Sequence, residues 1–394
     1  MPGSVIVAGA RTPIGKLSGA FAGLTAMDLG GFAIKAALER AGIAPEDVNY
    51  VFMGQVLQGG QGQMTARQAA VKGGIPMTVP ATTINKVCLS GLNALYLADL
   101  MINAGQADVV VAGGMESMTQ SPYLLPGARA GYRAGDQKVV DSMMHDGLFC
   151  AFDQVAMGAG TERYSRAAEI SRDRQDALAA TSHERAANAI KEGRFVEEIT
   201  PVAVPQRRGD PVIVDTDEGV RPETTVESLG RLKGAFDPEG TITAGNASQI
   251  SDGGAALIVV SRDRADKLGL KPLGELVGYG QVAAPDASLL LQPAGAIRQA
   301  LEHSGIALSE VDLFEINEAF AAVGVASMDD LGILDDVTNV NGGAIALGHP
   351  IGMSGARLAL TALTELRRRG GGTAAVALCG GGGQGDAALL RSVS

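Results

Sequence analysis

The chain has 394 residues, of which 46% are hydrophobic, 4% aromatic and 19% charged, with 54 glycines and no tryptophan. This length exceeds a single typical core, and the aliphatic composition excludes a disordered or collagen-like chain. The formal net charge of −11 argues against nucleic acid as a general partner.

The N-terminal sequence MPGSVIVAGARTP has no basic region followed by a cleavable apolar stretch, and it runs directly into a predicted strand. Three cysteines in so long a chain are a poor disulfide framework. No apolar run reaches the ~18 residues that a membrane helix needs. We therefore expect a cytoplasmic protein with no membrane partner.

The first predicted helix recurs near the end of the chain. AIKAALERAGIAPEDV, from Ala33, and AIRQALEHSGIALSEV, from Ala296, are identical at nine of sixteen positions. Each predicts an amphipathic helix, a Gly C-cap and the start of a strand. The helix and Val/Ala strand of residues 89–114 likewise match residues 353–381. The sequence predicts a duplicated α/β domain with parallel sheets covered on both faces.

Residues 120–249 lie between the two copies and differ from them in character. They predict loops and one clear helix, from Ser171 to Gly193, which a Ser cap opens. A long insertion between matched halves is typical of a lid or a binding region.

The duplication also relates two polar loops. With an offset of 264 residues, Asn85 falls on His349 and Cys88 on Gly352. If the copies pack as a pseudo-symmetric pair, these loops converge at the carboxyl ends of strands, where α/β sheets bind ligands.

These loops hold the candidate chemical groups. Cys88 precedes a nearly all-apolar predicted helix, so it is either a packed thiol or a nucleophile whose pKa the helix N-terminus lowers. His349, among Gly-rich turns, is either structural or the base partner of a distant cysteine. Cys379 is either at a plain turn or a proton carrier, and Asn317 either caps a turn or positions water.

The segments NKVCLSG, NEAFA, NGGAIALGHPIGMSG and CGGGGQG, in this order and spacing, resemble the thiolase family, in particular its members that condense acetyl-CoA. GARTPIGK, MESMT and TITAGNASQISDGGAA fit too, so the resemblance covers essentially the whole chain. It implies an α/β fold in which duplicated domains form a five-layered αβαβα sandwich with an inserted loop domain. The implied bounds are 1–120 plus about 250–270, 121–249 for the inserted CoA-binding loop domain, and 271–394.

The resemblance further implies the reversible Claisen condensation of two acetyl-CoA molecules to acetoacetyl-CoA and CoA, through an S-acyl-cysteine. Cys88 is then the nucleophile, His349 takes its proton, and Cys379 removes a proton from the α-carbon of the second acetyl-CoA. Each of the two developing oxyanions needs donors held in advance. His349 with a water held by Asn317 would form one set, and the backbone N–H groups of Cys88 and Gly381 the other.

By the same resemblance, CoA thioesters are substrates, and neither a cofactor nor a metal is implied. The expected CoA-binding residues are Leu148, Met157, Arg221, Phe236, Ala244, Ser248, Ala319 and Phe320. The basic residues between Arg207 and Lys233 are expected to meet the nucleotide phosphates. The family also implies a homotetramer, a dimer of dimers, with the segment Ser121 to Val140 as an inter-subunit arm.

Two positions depart from the family pattern. Leu89 follows the nucleophile where many short-chain thiolases have Gly, and Ala156 stands where a His commonly precedes the Met matching Met157. We expect Leu89 to narrow the acyl pocket and Ala156 to remove a polar contact near the thioester, which leaves the acyl-chain length open. For Cys150 we expect packing only.

Other functions stay open on the sequence. A degradative 3-ketoacyl-CoA thiolase for longer chains would share every catalytic residue. A non-catalytic acyl-CoA-binding or lipid-binding member of the fold should have lost Cys88, His349 or Cys379. A decarboxylating condensing enzyme would use a second His in place of Cys379, and a Gly-rich nucleotide-binding protein would need a phosphate-binding motif absent from this sequence.

Overall fold

The structure is a computed structural model that describes residues 3–393. Residues 1, 2 and 394, at the ends of the predicted domain bounds, lie outside the described residues. The strands are β1 (Ser4–Arg11), β2 (Gly15–Lys16), β3 (Tyr50–Gly54), β4 (Ala81–Ile84), β5 (Val109–Ser117), β6 (Tyr123–Leu124), β7 (Val140–Asp141), β8 (Phe149–Cys150), β9 (Val155–Ala156), β10 (Val202–Val204), β11 (Val212–Val214), β12 (Ser251–Ser261), β13 (Gly274–Ala283), β14 (Leu313–Ile316), β15 (Thr373–Gly380) and β16 (Gln384–Ser392). The α-helices are α1 (Ala26–Ala41), α2 (Thr65–Lys72), α3 (Ser90–Asn103), α4 (Met157–Ala167), α5 (Arg172–Lys191), α6 (Val226–Gly230), α7 (Arg262–Leu268), α8 (Gln292–Ser304), α9 (Ala321–Leu331), α10 (Ala344–Leu347) and α11 (Ser354–Arg369).

The large strands follow the order β14-β15-β16-β13-β1-β12-β5-β3-β4, and β2 pairs with β12. Only a single residue pair, Ile6 with Gly274, links β1 to β13, so the path consists of an N-terminal and a C-terminal half. β3 pairs in parallel with β4 and β5, and β14 with β15, whereas the other pairings on this path are antiparallel.

The expectation of parallel sheets therefore holds for β3 with β4 and β5 and for β14 with β15, but it is wrong for the other pairings. The short connection of residues 381–383 turns the chain straight back, so that β16 runs antiparallel to β15. β12 is reached from the long insertion and runs antiparallel to both β1 and β5. Two parallel neighbouring strands need a crossover connection between them, and α3 lies in the connection from β3 to β5.

Three apolar cores separate five layers. One core lies between α1 with α2 and the N-terminal sheet, and another lies between the C-terminal sheet and α8. The third joins both sheets to α3 and α11, which pack together in the middle of the molecule. This arrangement confirms the predicted αβαβα fold class.

The helices predicted to correspond, α1 and α8, end in the same way. Gly42 and Gly305 both adopt a left-handed conformation, with φ of 63° and 72°, and their N–H groups bond to carbonyls of the last turn. Each helix leads through a 3₁₀ turn into the edge region of its sheet, at β3 and β14. The internal match in sequence is thus a repeated structural unit.

The insertion contains the three two-stranded pairs β6–β7, β8–β9 and β10–β11, together with α4, α5 and α6. The predicted helix is confirmed as α5, and the Ser171 side chain accepts from the Arg174 N–H at its start. The expectation of one helix missed the five-residue α6 and also α4, whose helix propensity Gly158 and Gly160 lower. Gly158 is needed there because a Cβ would lie 2.0 Å from the Phe236 ring.

A buried ion cluster anchors the insertion to β1. The fully buried Arg11 donates from Nε to Glu198 at 2.8 Å and from Nη1 and Nη2 to Asp217 at 2.7 and 2.9 Å. These two carboxylates raise the pKa of Arg11 against the opposing effect of burial.

Within residues 3–393, no helix combines the length and apolarity needed to span a membrane.

Candidate active site

Cys88 lies in the loop between β4 and α3, and a strained residue precedes it. Val87 has φ of +51°, which is unfavourable for a β-branched side chain. Asn85 Oδ1 accepts from the Val87 N–H at 3.1 Å, and Ser90 Oγ donates to the Val87 carbonyl at 2.6 Å. Local hydrogen bonds therefore hold the backbone that presents the thiol.

An ion pair connects this loop to the C-terminal half. Lys86 Nζ lies 2.7 Å from Oδ1 of Asp386 on β16, and Asp386 also accepts from the Tyr279 hydroxyl at 2.8 Å. Asp386 is 1% exposed and Lys86 22%. The position of the thiol loop thus depends on contacts from both halves.

The Cys88 thiol is partly exposed, and two backbone amides face its sulfur. Desolvation raises the pKa of Cys88 to about 12, although the N–H groups of Cys88 and Gly381 act in the opposite direction. The Glu116 carboxylate raises it further. The thiol is therefore neutral at rest, contrary to the idea that the helix N-terminus alone makes a thiolate.

His349 lies between α10 and α11 in a closely packed loop. Its backbone N–H points to the Gln249 carbonyl and to Ser251 Oγ, each at 3.2 Å. The preceding Gly348 has φ of +109°, and a Cβ there would lie 2.5 Å from Ser251 Oγ. Any other residue at this position would be strained, so the path of the loop before His349 depends on Gly348.

Both nitrogens of the buried His349 ring have neighbours. Nδ1 lies 2.5 Å from Ser354 Oγ, and Nε2 lies 3.4 Å from Nδ2 of Asn317. Burial and the positive charge of Arg357 lower the pKa of His349 to about 3. The imidazole is therefore neutral at rest, and it can accept a proton.

Cys379 is buried in β15, and its pKa is raised by burial and by the neighbouring Cys88. Beyond it, a Cβ on Gly380 would lie 2.7 Å from Cγ of Leu89. Leu89 is fully buried among the central core residues and does not line the cavity described below. The expectation that Leu89 narrows the acyl pocket is therefore wrong, because its side chain fills the space over Gly380.

A cavity of about 420 Å³ joins these groups, and its wall is mainly apolar. Eleven of the thirteen predicted site residues line it: Cys88, Leu148, Met157, Phe236, Ala244, Ser248, Ala319, Phe320, His349, Cys379 and Gly381. Asn317 lies behind the wall, next to His349, with its Oδ1 buried and unpartnered. Arg221 is exposed and outside the lining, whereas Ala156, one of the two departures, is part of it.

The basic residues of the insertion lie on its surface. Arg207, Arg208, Arg221, Arg231 and Lys233 are all exposed. In the described part of the chain, none of the five forms a salt bridge. These five side chains are therefore free to contact an anionic ligand, although the chain as a whole carries a net negative charge.

Sequence reasoning missed two buried carboxylates. Glu116 accepts from the N–H groups of Val56, Leu57 and Gly352 at 2.9–3.1 Å, which joins the two halves, and burial raises its pKa to about 7. The only available signal was its place in MESMT. Glu318 is buried as well, and its carboxylate accepts from the Ser182 hydroxyl, the Asn339 side-chain amide and the Ile345 backbone N–H.

Cys150 is buried in β8, where its sulfur accepts from the Asp153 N–H at 3.3 Å, in keeping with a packing role. Across residues 3–393, no three His, Cys, Asp or Glu side chains cluster as metal ligands would. The cavity is lined by the thiols of Cys88 and Cys379 and by the His349 imidazole, and also by the polar residues Thr243, Ser248 and Gln249.

Comparison with known proteins agrees with this fold. The thiolase N-terminal domain model matches residues 4–263, and the thiolase C-terminal domain model matches residues 270–392. The chain belongs to the thiolase family.

Similar proteins carry more particular names. The chain is 56% identical to a probable acetyl-CoA acetyltransferase of Mycolicibacterium smegmatis, over 98% of this chain and 100% of the relative. A protein of the same name in Mycobacterium tuberculosis is 54% identical over 100% of both. The crystal structure of the Bacillus anthracis acetyl-CoA acetyltransferase superposes with a TM-score of 0.97 at 38% identity, covering 100% of this chain and 99% of that one.

Proposed function

We propose that this chain is an acetyl-CoA C-acetyltransferase, which condenses two acetyl-CoA molecules reversibly to acetoacetyl-CoA and CoA. The observation that carries the proposal is one cavity bordered by Cys88, His349, Cys379 and the glycine turn after β15. Full-length relatives named probable acetyl-CoA acetyltransferase, at 54–56% identity, support it.

In the first half-reaction, the Cys88 thiol gives its proton to Nε2 of His349 as the sulfur attacks the thioester carbonyl. Both groups are neutral at rest, because burial raises the pKa of Cys88 and lowers that of His349. The N–H groups of Cys88 and Gly381 stabilise the oxyanion. The departing CoA thiolate takes the proton of Cys379, which leaves an acetyl-Cys88, an imidazolium and a Cys379 thiolate.

In the second half-reaction, the Cys379 thiolate removes a proton from the α-carbon of the second acetyl-CoA. The enolate oxygen is stabilised by the N–H on Nε2 of His349 and by a water held by Asn317. The carbanion attacks the acetyl-Cys88 carbonyl, and the Cys88 sulfur leaves with the Nε2 proton of His349. Cys88, His349 and Cys379 are then in their starting protonation states.

CoA binding is part of the same proposal. The apolar residues Leu148, Met157, Phe236, Ala319 and Phe320 would contact the pantetheine chain within the cavity. Ser248 and Ala244 lie in the same wall. Arg221, exposed and away from the cavity, would meet the nucleotide phosphates together with the neighbouring basic residues. No resident cofactor or metal takes part in this scheme.

A 3-ketoacyl-CoA thiolase for longer chains is the second candidate. The mainly apolar cavity and the small Ala156 in its wall favour it, because both would tolerate additional methylene groups. The ratio of kcat/KM for acetoacetyl-CoA and for a C8 3-ketoacyl-CoA separates the two functions. A higher value for the C8 substrate would overturn the short-chain assignment.

The remaining expectations belong to this proposal. We expect a cytoplasmic homotetramer with the predicted domain bounds of 1–120 plus about 250–270, 121–249 and 271–394. The segment Ser121–Val140 includes β6 and the first residue of β7, and it carries the exposed apolar side chains of Tyr123, Leu125 and Val139. Exposed apolar groups on an arm support a role between subunits.

The direct test is mass spectrometry of the protein after incubation with acetyl-CoA and proteolysis. We expect one added acetyl group, on the peptide that contains Cys88. An unmodified Cys88 peptide, with the protein folded by circular dichroism, would overturn the assignment of the nucleophile and of the reaction class together.

A further inference from the structure

The first residue of α11 contacts the ring of His349. Ser354 is buried, and its Oγ lies 2.5 Å from Nδ1 of His349 and 3.0 Å from the carbonyl oxygen of Pro350. A serine hydroxyl has one hydrogen and two lone pairs. If the hydrogen points to the Pro350 carbonyl, which can only accept, then Nδ1 must carry the hydrogen that it shares with Oγ.

A second contact is consistent with a proton on Nδ1. On the other side of the ring, the Asn317 amide nitrogen, which only donates, lies 3.4 Å from Nε2. A nitrogen that accepts from this amide has no hydrogen of its own. The neighbours of both ring nitrogens therefore specify the same tautomer, with a hydrogen on Nδ1 and a lone pair on Nε2.

The duplicated half shows how the hydroxyl is oriented. Ser90, 264 residues earlier, is the first residue of α3, the helix that corresponds to α11. Its hydroxyl donates to the Val87 carbonyl at 2.6 Å and accepts from the Lys86 N–H at 2.8 Å. Both serines thus donate to a carbonyl just before their helix and keep a lone pair for a second donor. In the second copy, this donor is His349.

No charged group performs this task. Within the described residues, no carboxylate is hydrogen-bonded to the His349 ring or paired with it, and the charge that lowers its pKa is that of Arg357. A carboxylate on Nδ1 would stabilise the imidazolium at rest. A hydroxyl orients the ring but leaves it neutral until substrate is bound.

We propose that Ser354 is a positioning residue that fixes the proton of neutral His349 on Nδ1, and so keeps Nε2 free to take the proton of Cys88. This inference rests on the proposed function. Through the cycle, the Nδ1 hydrogen stays on Nδ1, bonded to Ser354, while Nε2 gains the Cys88 proton during acylation and returns it when the Cys88 sulfur leaves. The chain of contacts runs from Nδ1–H to Ser354 and from its O–H to Pro350.

The experiment compares Ser354→Ala and Ser354→Thr with a matched control, Ser327→Ala. Ser327 is also a buried helix serine, and it donates to the Leu290 carbonyl at 2.9 Å, so the control loses an equivalent bond away from His349. We expect Ser354→Ala to lower kcat roughly 100-fold with little change in KM, because the base is no longer held in one tautomer. Thr restores the hydroxyl and should recover most of kcat.

Solid-state ¹⁵N NMR of histidine-labelled protein reads the tautomer without turnover. The chain has four histidines, and the His349 signals are assigned by their loss in His349→Asn. We expect a protonated Nδ1 in the wild type and a shift towards protonated Nε2 in Ser354→Ala. A wild-type ring protonated on Nε2, or equal losses of kcat in Ser354→Ala and Ser327→Ala, would overturn the inference. Failure of wild-type acylation would instead contradict the proposed function.

Discussion

The loop before α3 and the loop before α11 occupy equivalent places in the two copies, yet they hold their reactive groups by different means. The first presents Cys88 after the left-handed Val87, and the Lys86–Asp386 ion pair ties it to the other half. The second presents the His349 ring through neutral hydrogen bonds, in a loop that only Gly348 allows. A duplicated helix entrance has thus diverged into a nucleophile site and a base site, while the serine that opens each helix has remained.

Removal of the thiol gives the largest expected effect. Cys88→Ala should reduce acetyl transfer by about four orders of magnitude or more, because it removes the nucleophile of the acylation step. The melting temperature should stay close to that of the wild type, since the thiol is partly exposed. Activity is followed by CoA release from acetyl-CoA, and Cys150→Ala, away from the proposed chemistry, is the control. Near-normal activity in Cys88→Ala would contradict the assignment of the loop before α3 as the nucleophile site.

Substitution of the second thiol, that of Cys379, should affect the two half-reactions differently. Cys379→Ala should still form the acetyl-Cys88 enzyme, more slowly, because the base and the oxyanion donors of that step are retained. Condensation should fall by about 10³-fold, since no base remains for the α-carbon. Mass spectrometry measures the acyl enzyme, and acetoacetyl-CoA formation measures condensation. Normal condensation would mean that another group removes the proton.

The ion pair beneath the thiol loop can be broken from the other half. Asp386→Asn leaves Lys86 without its counter-charge, and it should lower the free energy of unfolding by about 3 kcal/mol. The matched control is Asp329→Asn, which breaks the exposed pair with Arg174 and should cost about 0–1 kcal/mol. Denaturant titration measures both. Equal costs would show that the buried pair does not hold the loop in place.

The contact between Leu89 and Gly380 tests how closely the thiol loop packs against the C-terminal half. A methyl group in Gly380→Ala meets Leu89 at 2.7 Å, so it should destabilise the fold by about 1–3 kcal/mol and slow turnover. Gly295→Ala, whose Cβ would lie 3.5 Å from Val282, is the control and should be nearly neutral. The double variant with Leu89→Ala should cost less than the sum of the two single changes. Simple additivity would disprove the contact.

The chemistry of the thiol also predicts a dependence on pH. The Cys88 pKa is raised to about 12 and that of His349 is lowered to about 3, so the thiolate fraction should rise about tenfold per pH unit between pH 7 and 10. The rate of alkylation of Cys88 by iodoacetamide, followed on its peptide, should rise in parallel without a plateau. A plateau at neutral pH would instead reveal a stable thiolate–imidazolium pair.

Much of this molecule could be predicted from its sequence, because the information was local or repeated. The helix–Gly–strand pattern gave both copies, and the position of Cys88 and His349 at matched helix entrances placed them in one wall. Strand direction could not be read in this way, since it depends on connections whose path only the structure shows. The orientation of Leu89 was also beyond the sequence, because the space it fills is created by a glycine almost 300 residues away. Glu116 acts through backbone amides of both halves, which leave no mark on the pattern of side chains.

The ion cluster of Arg11 has a consequence for how this chain can be dissected or recombined. Its partners, Glu198 and Asp217, come from the segment that interrupts the first copy, whereas Arg11 itself belongs to the first strand. Without that segment, the Arg11 guanidinium would be buried in the interior with no anion beside it. The resulting loss of folding free energy would exceed what a marginally stable half-molecule can tolerate. Any engineered single-repeat version must therefore replace Arg11 with an apolar residue before the loops are shortened.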